Sequence, residues 1–316
     1  MADNSKKDLS ECYIVALIDV LGQKELFKEQ KSLMRIEQGK ISFKTIEKQK
    51  RFEEVHKKTF GKIVKLRGAF ERARSIYLKN LLNHPKVESL STEEQRRLKN
   101  IANPISYQFF SDTLIIYTLL NDDDKLKMRV NLAQMIFVCV VVMLIEFSYG
   151  IFFRGGIEVG PGTEFKEPHS GIYGVALNGA YYIENEIAKH PRIVVGDTLK
   201  NLIEEQCDET EDSEFWRGFN SRVYDFCKSS ITEDIDGYSF LDFLGESVAN
   251  NCSKNLLPQS RRYICEGLVE IAKQYDKHLS NKNSKLCFRY ERLKDYYLKN
   301  LNNWGLCQTT IINKKT

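Results

Sequence analysis

Residues 12–20 read CYIVALIDV, a run that consists almost entirely of apolar and β-branched residues. An unbroken apolar run of this length is typical of a β-strand that is covered on both faces. Its only acidic or basic side chain is Asp19, and Leu21-Gly22 ends the pattern directly afterwards. We therefore expect a central strand that presents one aspartate near its end.

The segments that follow this strand alternate between helical and strand patterns. Residues 25–100 are rich in Lys, Glu, Arg and Leu and predict amphipathic helices. Two short apolar runs separated only by Ser111-Asp112 predict a β-hairpin with the aspartate at its tip. The later patterns predict, in order, an apolar helix, a strand, a loop that leads into a helix, a strand and a helical tail, at residues 135–145, 150–159, 171–189, 191–196 and 198 onward.

Helices and strands that mix within one continuous pattern indicate a single α+β domain. The expected organisation is a mixed domain over residues 1–200, with a helical insertion at about 25–100. A helical C-terminal extension over residues 201–316 is expected to pack on the same domain.

Composition and charge narrow the class of protein. The chain has 316 residues, of which 42% are hydrophobic and 28% charged, and a formal net charge of +4. Such values are ordinary for a globular protein, and basic residues spread along the chain argue against a nucleic acid as the main partner. The eight cysteines show no CxxC spacing, and the N-terminus, MADNSKKDLSE, has no apolar signal region. We therefore expect no zinc site, reduced thiols and a cytoplasmic location.

One apolar run, residues 135–145, invites comparison with a membrane-spanning helix. It ends at Glu146, well short of the about 18–20 residues needed to cross a bilayer. A buried helix, and no association with a membrane, is the expectation.

Two aspartates stand out because apolar residues surround them. Asp19 lies in the first strand and Asp112 interrupts the hairpin. A carboxylate in such a setting has a desolvation cost of several kcal/mol unless a cation or a hydrogen-bond donor meets it. Two of them on neighbouring strands could bind a pair of Mg²⁺ or Mn²⁺ ions. The alternative interpretation, that each aspartate caps a turn, stays open.

Two further features are weaker signals. Gly22 follows the first strand and could let backbone N–H groups approach a phosphate, although most such glycines only turn the chain. Arg154 precedes two glycines in a predicted strand, and a guanidinium suits phosphate binding. A structural ion pair of Arg154 is the competing interpretation. No Walker, Rossmann or GxSxG motif is present in the sequence.

Taken in order, four segments resemble the catalytic domain of class III nucleotidyl cyclases. That family has a strand followed by Asp-x-x-Gly, an aspartate at a hairpin tip, an Arg-x-Gly-Ile strand and a helix with an asparagine. The matching segments here are residues 18–22, 110–113, 154–157 and 174–184. Order and spacing agree over residues 13–197, and the resemblance implies the ferredoxin-like palm of that family with flanking helices.

The chain is most similar in its motifs to the bacterial Pycsar pyrimidine cyclases. The shared stretches are Asp-Val-Leu-Gly, Phe-Ser-Asp-Thr, Arg-Gly-Gly-Ile and Pro-Arg-Ile-Val, at residues 19–22, 110–113, 154–157 and 191–194. The turn at 236–241 and the tail at 289–297 also resemble theirs. The resemblance implies a phosphorus–oxygen lyase that converts UTP or CTP into 3′,5′-cyclic UMP or cyclic CMP and pyrophosphate. The product would be a second messenger in antiphage defence, read by a separate effector protein.

Carried over residue by residue, the resemblance implies two Mn²⁺ or Mg²⁺ ions per active site, held by Asp19, Asp112 and the Val20 carbonyl oxygen. The implied catalytic residues are Arg154 and Asn178. Asn178 would come from the second subunit of a homodimer with active sites at its interface. The implied substrate-binding residues are Leu21, Gly22, Gln23, Gln108 and Tyr182.

Some positions depart from the family pattern. Gln108 and Gly171 stand where adenylate cyclases have a base-reading Lys and Asp, which argues against an adenine pocket. Gln23 replaces the usual Phe, and Tyr182 replaces the transition-state arginine. Two alternatives therefore stay open, a purine cyclase with an unusual base pocket and a non-catalytic module that binds a nucleotide.

Overall fold

The computed structural model describes residues 11–82, 87–88, 90–120, 124–165, 171–205, 214–252 and 259–307. Its α-helices are α1 (Gln23–Leu33), α2 (Ile46–Leu82), α3 (Thr92–Asn100), α4 (Lys125–Ser148), α5 (Val175–Tyr182), α6 (Asp197–Glu205), α7 (Glu214–Ser229), α8 (Glu246–Cys252), α9 (Ser260–Ser280) and α10 (Ser284–Asn300). A π-helical turn over Ile183–Ile187 follows α5 directly. Its strands are β1 (Glu11–Val20), β2 (Arg35–Glu37), β3 (Lys40–Ser42), β4 (Ser106–Phe110), β5 (Thr113–Leu119), β6 (Phe153–Phe165), β7 (Gly171–Gly174), β8 (Ile193–Val195), β9 (Ile231–Glu233) and β10 (Ser239–Leu241).

Within the described residues, eight strands form one mixed sheet with helices around it. The strand order is β4-β5-β1-β6-β8-β10-β9, and β7 pairs with β6. All neighbours are antiparallel except β6 and β8, which are parallel. The sequence-based prediction of an α+β fold is confirmed, as is the hairpin of β4 and β5.

Strand β1 lies between β5 and β6 and is buried on both faces. Its even-numbered side chains, such as Ile14 and Ile18, pack in the main core with residues of α4. Its odd-numbered side chains, such as Val15 and Leu17, pack in a second core with residues of α5. The prediction of a strand covered on both faces is therefore confirmed, and Asp19 continues the series that faces α5.

Helix α4 is the apolar helix expected from residues 135–145. It is long and apolar enough to span a membrane, but its most apolar window is entirely buried inside the protein. One of its buried polar residues, Asn131, has partners there. Asn131 accepts a hydrogen bond from the backbone N–H of Asn103 at 2.8 Å and donates to the Leu119 carbonyl oxygen at 3.1 Å. The prediction of a buried helix is confirmed.

Two segments that were expected to be helical also contain strands. Within the insertion, β2 and β3 form a small separate hairpin, because Gln38 and Gly39 adopt left-handed backbone conformations with φ of 50° and 75°. Within the C-terminal extension, β9 and β10 pair across the turn at Gly237, where φ is 80°, and β10 continues the main sheet through β8. The extension therefore completes one edge of the sheet in addition to supplying helices.

A buried ion-pair network connects this edge of the main sheet to helix α10. The Arg192 side chain is 2% exposed and donates hydrogen bonds to Asp234 and Asp236. Arg292 of α10 donates to Asp234 at 2.8 Å, and His190 Nε2 lies 3.2 Å from the same carboxylate. Burial would raise the pKa of each aspartate, but backbone N–H donors and the Arg192 guanidinium offset it and hold both pKa values below the usual range.

We expect Arg192→Ala to lower the free energy of unfolding by about 3 kcal/mol, because it leaves two partly buried carboxylates without their main partner. Urea unfolding followed by circular dichroism measures this change. The matched control is Arg262→Ala, since Arg262 is exposed and pairs with Glu266 at 2.7 Å within one helix. That control should change stability by less than about 1 kcal/mol, and equal effects of the two variants would contradict the structural role of Arg192.

Candidate functional site

The two aspartates that the sequence singles out lie at the same end of neighbouring strands. Asp19 is next to last in β1 and stands opposite Thr113 of β5, and Asp112 directly precedes Thr113. The backbone N–H of Val20 donates to the Asp112 carbonyl oxygen over 3.2 Å. This bond ties the hairpin tip to the end of β1, so that the structure brings both aspartates together.

Arg154 and a third carboxylate, Glu184, complete this cluster. Arg154 of β6 stands opposite Asp19 on the other side of β1. Its Nε atom lies 2.7 Å from Glu184 Oε1 and 3.8 Å from Asp19 Oδ2. Glu184 is buried in the π-helical turn after α5, and such turns occur frequently at functional sites. The structural ion pair considered for Arg154 is thus the arrangement observed.

Arg154 pairs with two carboxylates, Asp19 and Glu184, and the charge of Asp112 acts on both of them, which leaves an excess of negative charge. Burial, followed by the nearby charges of Glu184 and Asp112, raises the pKa of Asp19 to about 7, although Arg154 acts in the opposite direction. Burial also raises the pKa of Glu184. Carboxylates in such a place raise the free energy of the folded state unless a cation meets them.

The oxygen donors at this end of the sheet fit a hard divalent cation. Asp19, Asp112 and the Val20 carbonyl supply the kind of ligands that Mg²⁺ takes, and such a site keeps coordination positions for substrate phosphates. In the part of the chain that the structure describes, no three His, Cys, Asp or Glu side chains form a metal-binding group. A site here would therefore use the backbone carbonyl and substrate oxygens as well as the two aspartates.

Gly22 connects the aspartate strand to helix α1. Its φ of 79° lies in the left-handed region, which favours glycine. Helix α1 begins at the next residue, so its free N–H groups and partial positive charge lie directly beyond Asp19 and Val20. The loop is therefore suited to an anion next to the two aspartates.

Two other predicted substrate-binding residues of this loop are engaged within the protein. The Leu21 N–H donates to the Phe152 carbonyl oxygen at 2.9 Å. The Gln23 side chain is 1% exposed and donates to the Thr59 carbonyl oxygen at 3.3 Å, which holds α1 against α2. The Gln23 side chain therefore has a packing role, and only its backbone N–H in the first turn of α1 remains a candidate for phosphate binding.

Gln108 and Gly171, far apart in sequence, meet in the structure. A Cβ atom at Gly171 would lie 2.8 Å from Gln108 Oε1, so only glycine leaves room for this amide without a shift. Gln108 belongs to β4 and is half-buried, and Gly171 begins β7. A side-chain amide both donates and accepts hydrogen bonds, so this surface can pair with either kind of polar group.

The glycines that follow Arg154 allow close packing of the backbone. A Cβ atom at Gly156 would lie 2.3 Å from the Ala180 carbonyl oxygen, and one at Gly155 would lie 2.7 Å from the Leu17 carbonyl oxygen. Neither contact could be accommodated without moving backbone. Gly156 therefore lets α5 and the π-helical turn pack closely on β6, which places Glu184 beside Arg154, and Gly155 lets β6 approach β1.

Asn178 and Tyr182 lie on the outer surface of α5. Asn178 is exposed, and Tyr182 is 58% exposed. Among the described residues, no hydrogen bond or ion pair connects either side chain to the cluster of Asp19, Arg154 and Glu184.

Comparisons with models of known protein families, with curated proteins and with solved structures found no match. The function is therefore inferred from the residues of this site and from their geometry.

Glu184 is a site residue that sequence reasoning did not assign. It belongs to the same motif as Asn178, but only the packing of α5 across β6 brings it to Arg154. Glu186 lies in the same segment, so the sequence alone did not single out Glu184.

We expect Asp19→Asn to stabilise the metal-free protein at pH 8. The pKa of Asp19 is raised from 3.8 to about 7, so its charged form is disfavoured in the folded state. The associated loss of stability builds up as the pH rises from about 4 to 7 and is complete above pH 7. Removing this charge should add about 2 kcal/mol to the free energy of unfolding at pH 8 and almost nothing at pH 4. Chemical denaturation in EDTA at both pH values measures the difference.

The control is Asp276→Asn, which removes an exposed carboxylate on α9. It should leave stability nearly unchanged at both pH values. A loss of stability in Asp19→Asn at pH 8 would show that the Asp19 carboxylate is a structural ion-pair partner of Arg154.

Proposed function

We propose that this chain is a metal-dependent nucleotidyl cyclase that converts UTP or CTP into a 3′,5′-cyclic nucleotide and pyrophosphate. The observation that carries the proposal is the meeting of Asp19 and Asp112 at one end of β1 and β5, directly before the N-terminus of α1. Carboxylates and a helix N-terminus at one place suit a divalent cation together with a triphosphate. The resemblance to the Pycsar cyclases supplies the reaction.

The order of the strands supports the palm fold that the resemblance implies. Strands β1, β4, β5 and β6 are separated in sequence by helices, a hairpin turn and helix α4, and they lie in the order β4-β5-β1-β6 with all neighbours antiparallel. This order and these strand directions support the split βαβ arrangement of ferredoxin-like folds. Helix α4 covers one face of β1, whereas Asp19 belongs to the other face, so the proposed site is on the side away from α4.

Each residue of the proposed site has a definite role in the proposed reaction. Asp19, Asp112 and the Val20 carbonyl would bind the ions, which when present lower the pKa of the ribose 3′-hydroxyl and offset the phosphate charge. The N–H groups at the start of α1 would hold the triphosphate. Arg154 would turn from its carboxylate partners toward phosphate oxygens when cations neutralise those carboxylates. The chain thus acts by positioning and charge stabilisation.

Gln108 and Gly171 support a pyrimidine substrate. The Gln108 amide occupies the space beside Gly171, and it offers both a donor and an acceptor to a base. Neither position has the charged side chain expected of an adenylate cyclase. A small base read by an amide fits this arrangement, and the same amide could serve uracil or cytosine.

The homodimer proposal is supported by exposed apolar side chains near α5. Several large side chains at the end of β6, in β7 and in α5 are each more than half exposed: Phe165, Tyr173, Val175, Tyr181 and Tyr182. Exposed apolar surface of this kind is typical of an interaction site. A second copy on this face would bring its own Asn178 toward the opposite site, as the resemblance implies.

A second candidate function is a module that binds a nucleotide without turning it over. The ion pair of Arg154 with Glu184 at 2.7 Å favours it, because this arrangement occupies the cation assigned to the triphosphate. Tyr182, in place of the transition-state arginine, favours it as well. A purine cyclase is the remaining enzymatic alternative.

Incubation of the purified chain with Mn²⁺ and each of the four nucleoside triphosphates tests the function. We expect a cyclic product from UTP or CTP, identified by mass spectrometry, and little from ATP or GTP. Asp19→Ala and Asp112→Ala should each remove product by at least about 10³-fold, since metal and substrate positioning depend on both.

Asp197→Ala is the matched control, because Asp197 lies at the start of α6, outside the cluster, and it should retain activity. Turnover of a purine nucleotide alone would favour the purine cyclase. Thermal stabilisation by a nucleotide without turnover would instead support the non-catalytic module.

A complementation experiment tests the shared active site. Asn178→Ala should reduce activity by about 10²–10³-fold, and Asp19→Ala should be inactive. Mixing and reassociating the two inactive variants should restore about a quarter of wild-type activity, because half of the dimers then contain one complete site of two. Activity that stays at the level of the variants alone would contradict a site built from two subunits.

A further inference from the structure

A cavity of about 300 Å³ lies beside the start of helix α1, between α2 and the C-terminal helices. Leu21 and Gly22, the loop after the aspartate strand, form part of its wall. The insertion contributes Lys62 from α2, and the C-terminal extension contributes residues of α9 and α10. The cavity therefore joins the proposed active site to the two segments for which the proposed reaction has no role.

The wall of this cavity is rich in cations. Lys62, Lys277 and Arg289 line it, and Glu25 is the one acidic residue among its lining residues within the described chain. His278 also lines it, but burial and then the charge of Lys277 lower its pKa, which favours the neutral imidazole. Glu25 lies 3.1 Å from Lys28 on the exposed surface of α1 and pairs with it. In the part of the chain that the structure describes, the side chains of Lys62, Lys277 and Arg289 have no ion-pair or hydrogen-bond partner.

These cations act on one another as like charges. Burial, and then the charge of Lys277, lowers the pKa of Lys62. Burial, and then the charge of Arg154, lowers the pKa of Arg289. Half-buried cations that face other cations raise the free energy of the folded state, and a bound polyanion would remove that cost.

The cations are also in the right place for the substrate. Lys62 lies one helical turn after Thr59, whose carbonyl oxygen accepts the Gln23 bond at the first residue of α1. The charge of Arg154 contributes to the lowered pKa of Arg289, and the Nε atom of Arg154 lies 3.8 Å from Asp19 Oδ2. Leu21 and Gly22, which directly follow Asp19 and Val20, therefore form the border between the aspartates and this cavity.

We propose that this cavity binds the β- and γ-phosphates of the nucleoside triphosphate, through Lys62, Lys277 and Arg289. The proposal rests on the cyclase function and extends it, since it assigns a substrate-binding role to the insertion and the C-terminal extension. The same cations would hold the pyrophosphate leaving group. Arg289 would also supply, from another element, the positive charge that is missing at Tyr182.

Calorimetric titration of the full chain with inorganic tripolyphosphate in EDTA tests the cavity alone. We expect one-to-one binding by the wild type, weakened at least about tenfold in Lys62→Met and in Arg289→Gln, because each loses a charge-assisted contact. The matched control is Lys273→Gln, which removes the same charge from an exposed position on α9 that pairs with Glu270 and does not line the cavity. Its affinity should equal that of the wild type. Thermal melts verify folding, and Lys62→Met should be at least as stable as the wild type.

Cyclase assays with the same variants separate this proposal from the function on which it rests. A higher KM for the triphosphate in Lys62→Met and Arg289→Gln supports the cavity proposal. No binding of tripolyphosphate by an active wild type, or equal weakening in Lys273→Gln, overturns it while the cyclase function stands. Binding that depends on Lys62 and Arg289 in a chain that makes no cyclic product supports the polyphosphate site and overturns the cyclase function.

Discussion

The pairing of β1 with β5 on one side and β6 on the other is the constraint on which the rest of the structure depends. It buries β1 on both faces, against α4 and against α5, and it sets Asp19 opposite both Thr113 and Arg154. A shift of one residue in this register would turn Asp19 into the α4 core and move its apolar neighbours to the face that packs against α5. Apolar burial therefore fixes the position of the proposed metal ligands.

The candidate site contains a group of acidic side chains and a group of basic side chains, and partners within the described residues do not fully neutralise either group. On one side, Asp19 and Glu184 share Arg154 and Asp112 lies close to them, and on the other, the side chains of Lys62, Lys277 and Arg289 have no acidic partner there. Both groups raise the free energy of the folded protein, and both would be relieved by a divalent cation bound to a polyphosphate. Residues of active sites often lower the stability of the folded protein because function requires their arrangement. The acidic group and the basic group described here are the physical basis for the nucleotide proposal.

Local pattern was enough to predict the elements that determine their own structure. The β1 run, the β4–β5 hairpin and the buried α4 helix were all evident from the spacing of apolar residues. Features that depend on tertiary contacts were not. Gln23 looked like a substrate contact but packs against Thr59, Glu184 reaches Arg154 only through the fit of α5 on β6, and strands β9 and β10 are short segments that the sheet edge stabilises.

Crystals grown with Mn²⁺ and a 3′-deoxy analogue of UTP or CTP, which cannot cyclise, provide the most direct test of the central claim. Anomalous scattering locates the manganese without reference to activity. The proposed site predicts two manganese peaks within bonding distance of the Asp19 and Asp112 carboxylates, one of them also bonded to the Val20 carbonyl oxygen. Nucleotide bound in the crystal with no manganese at either aspartate would contradict the claim.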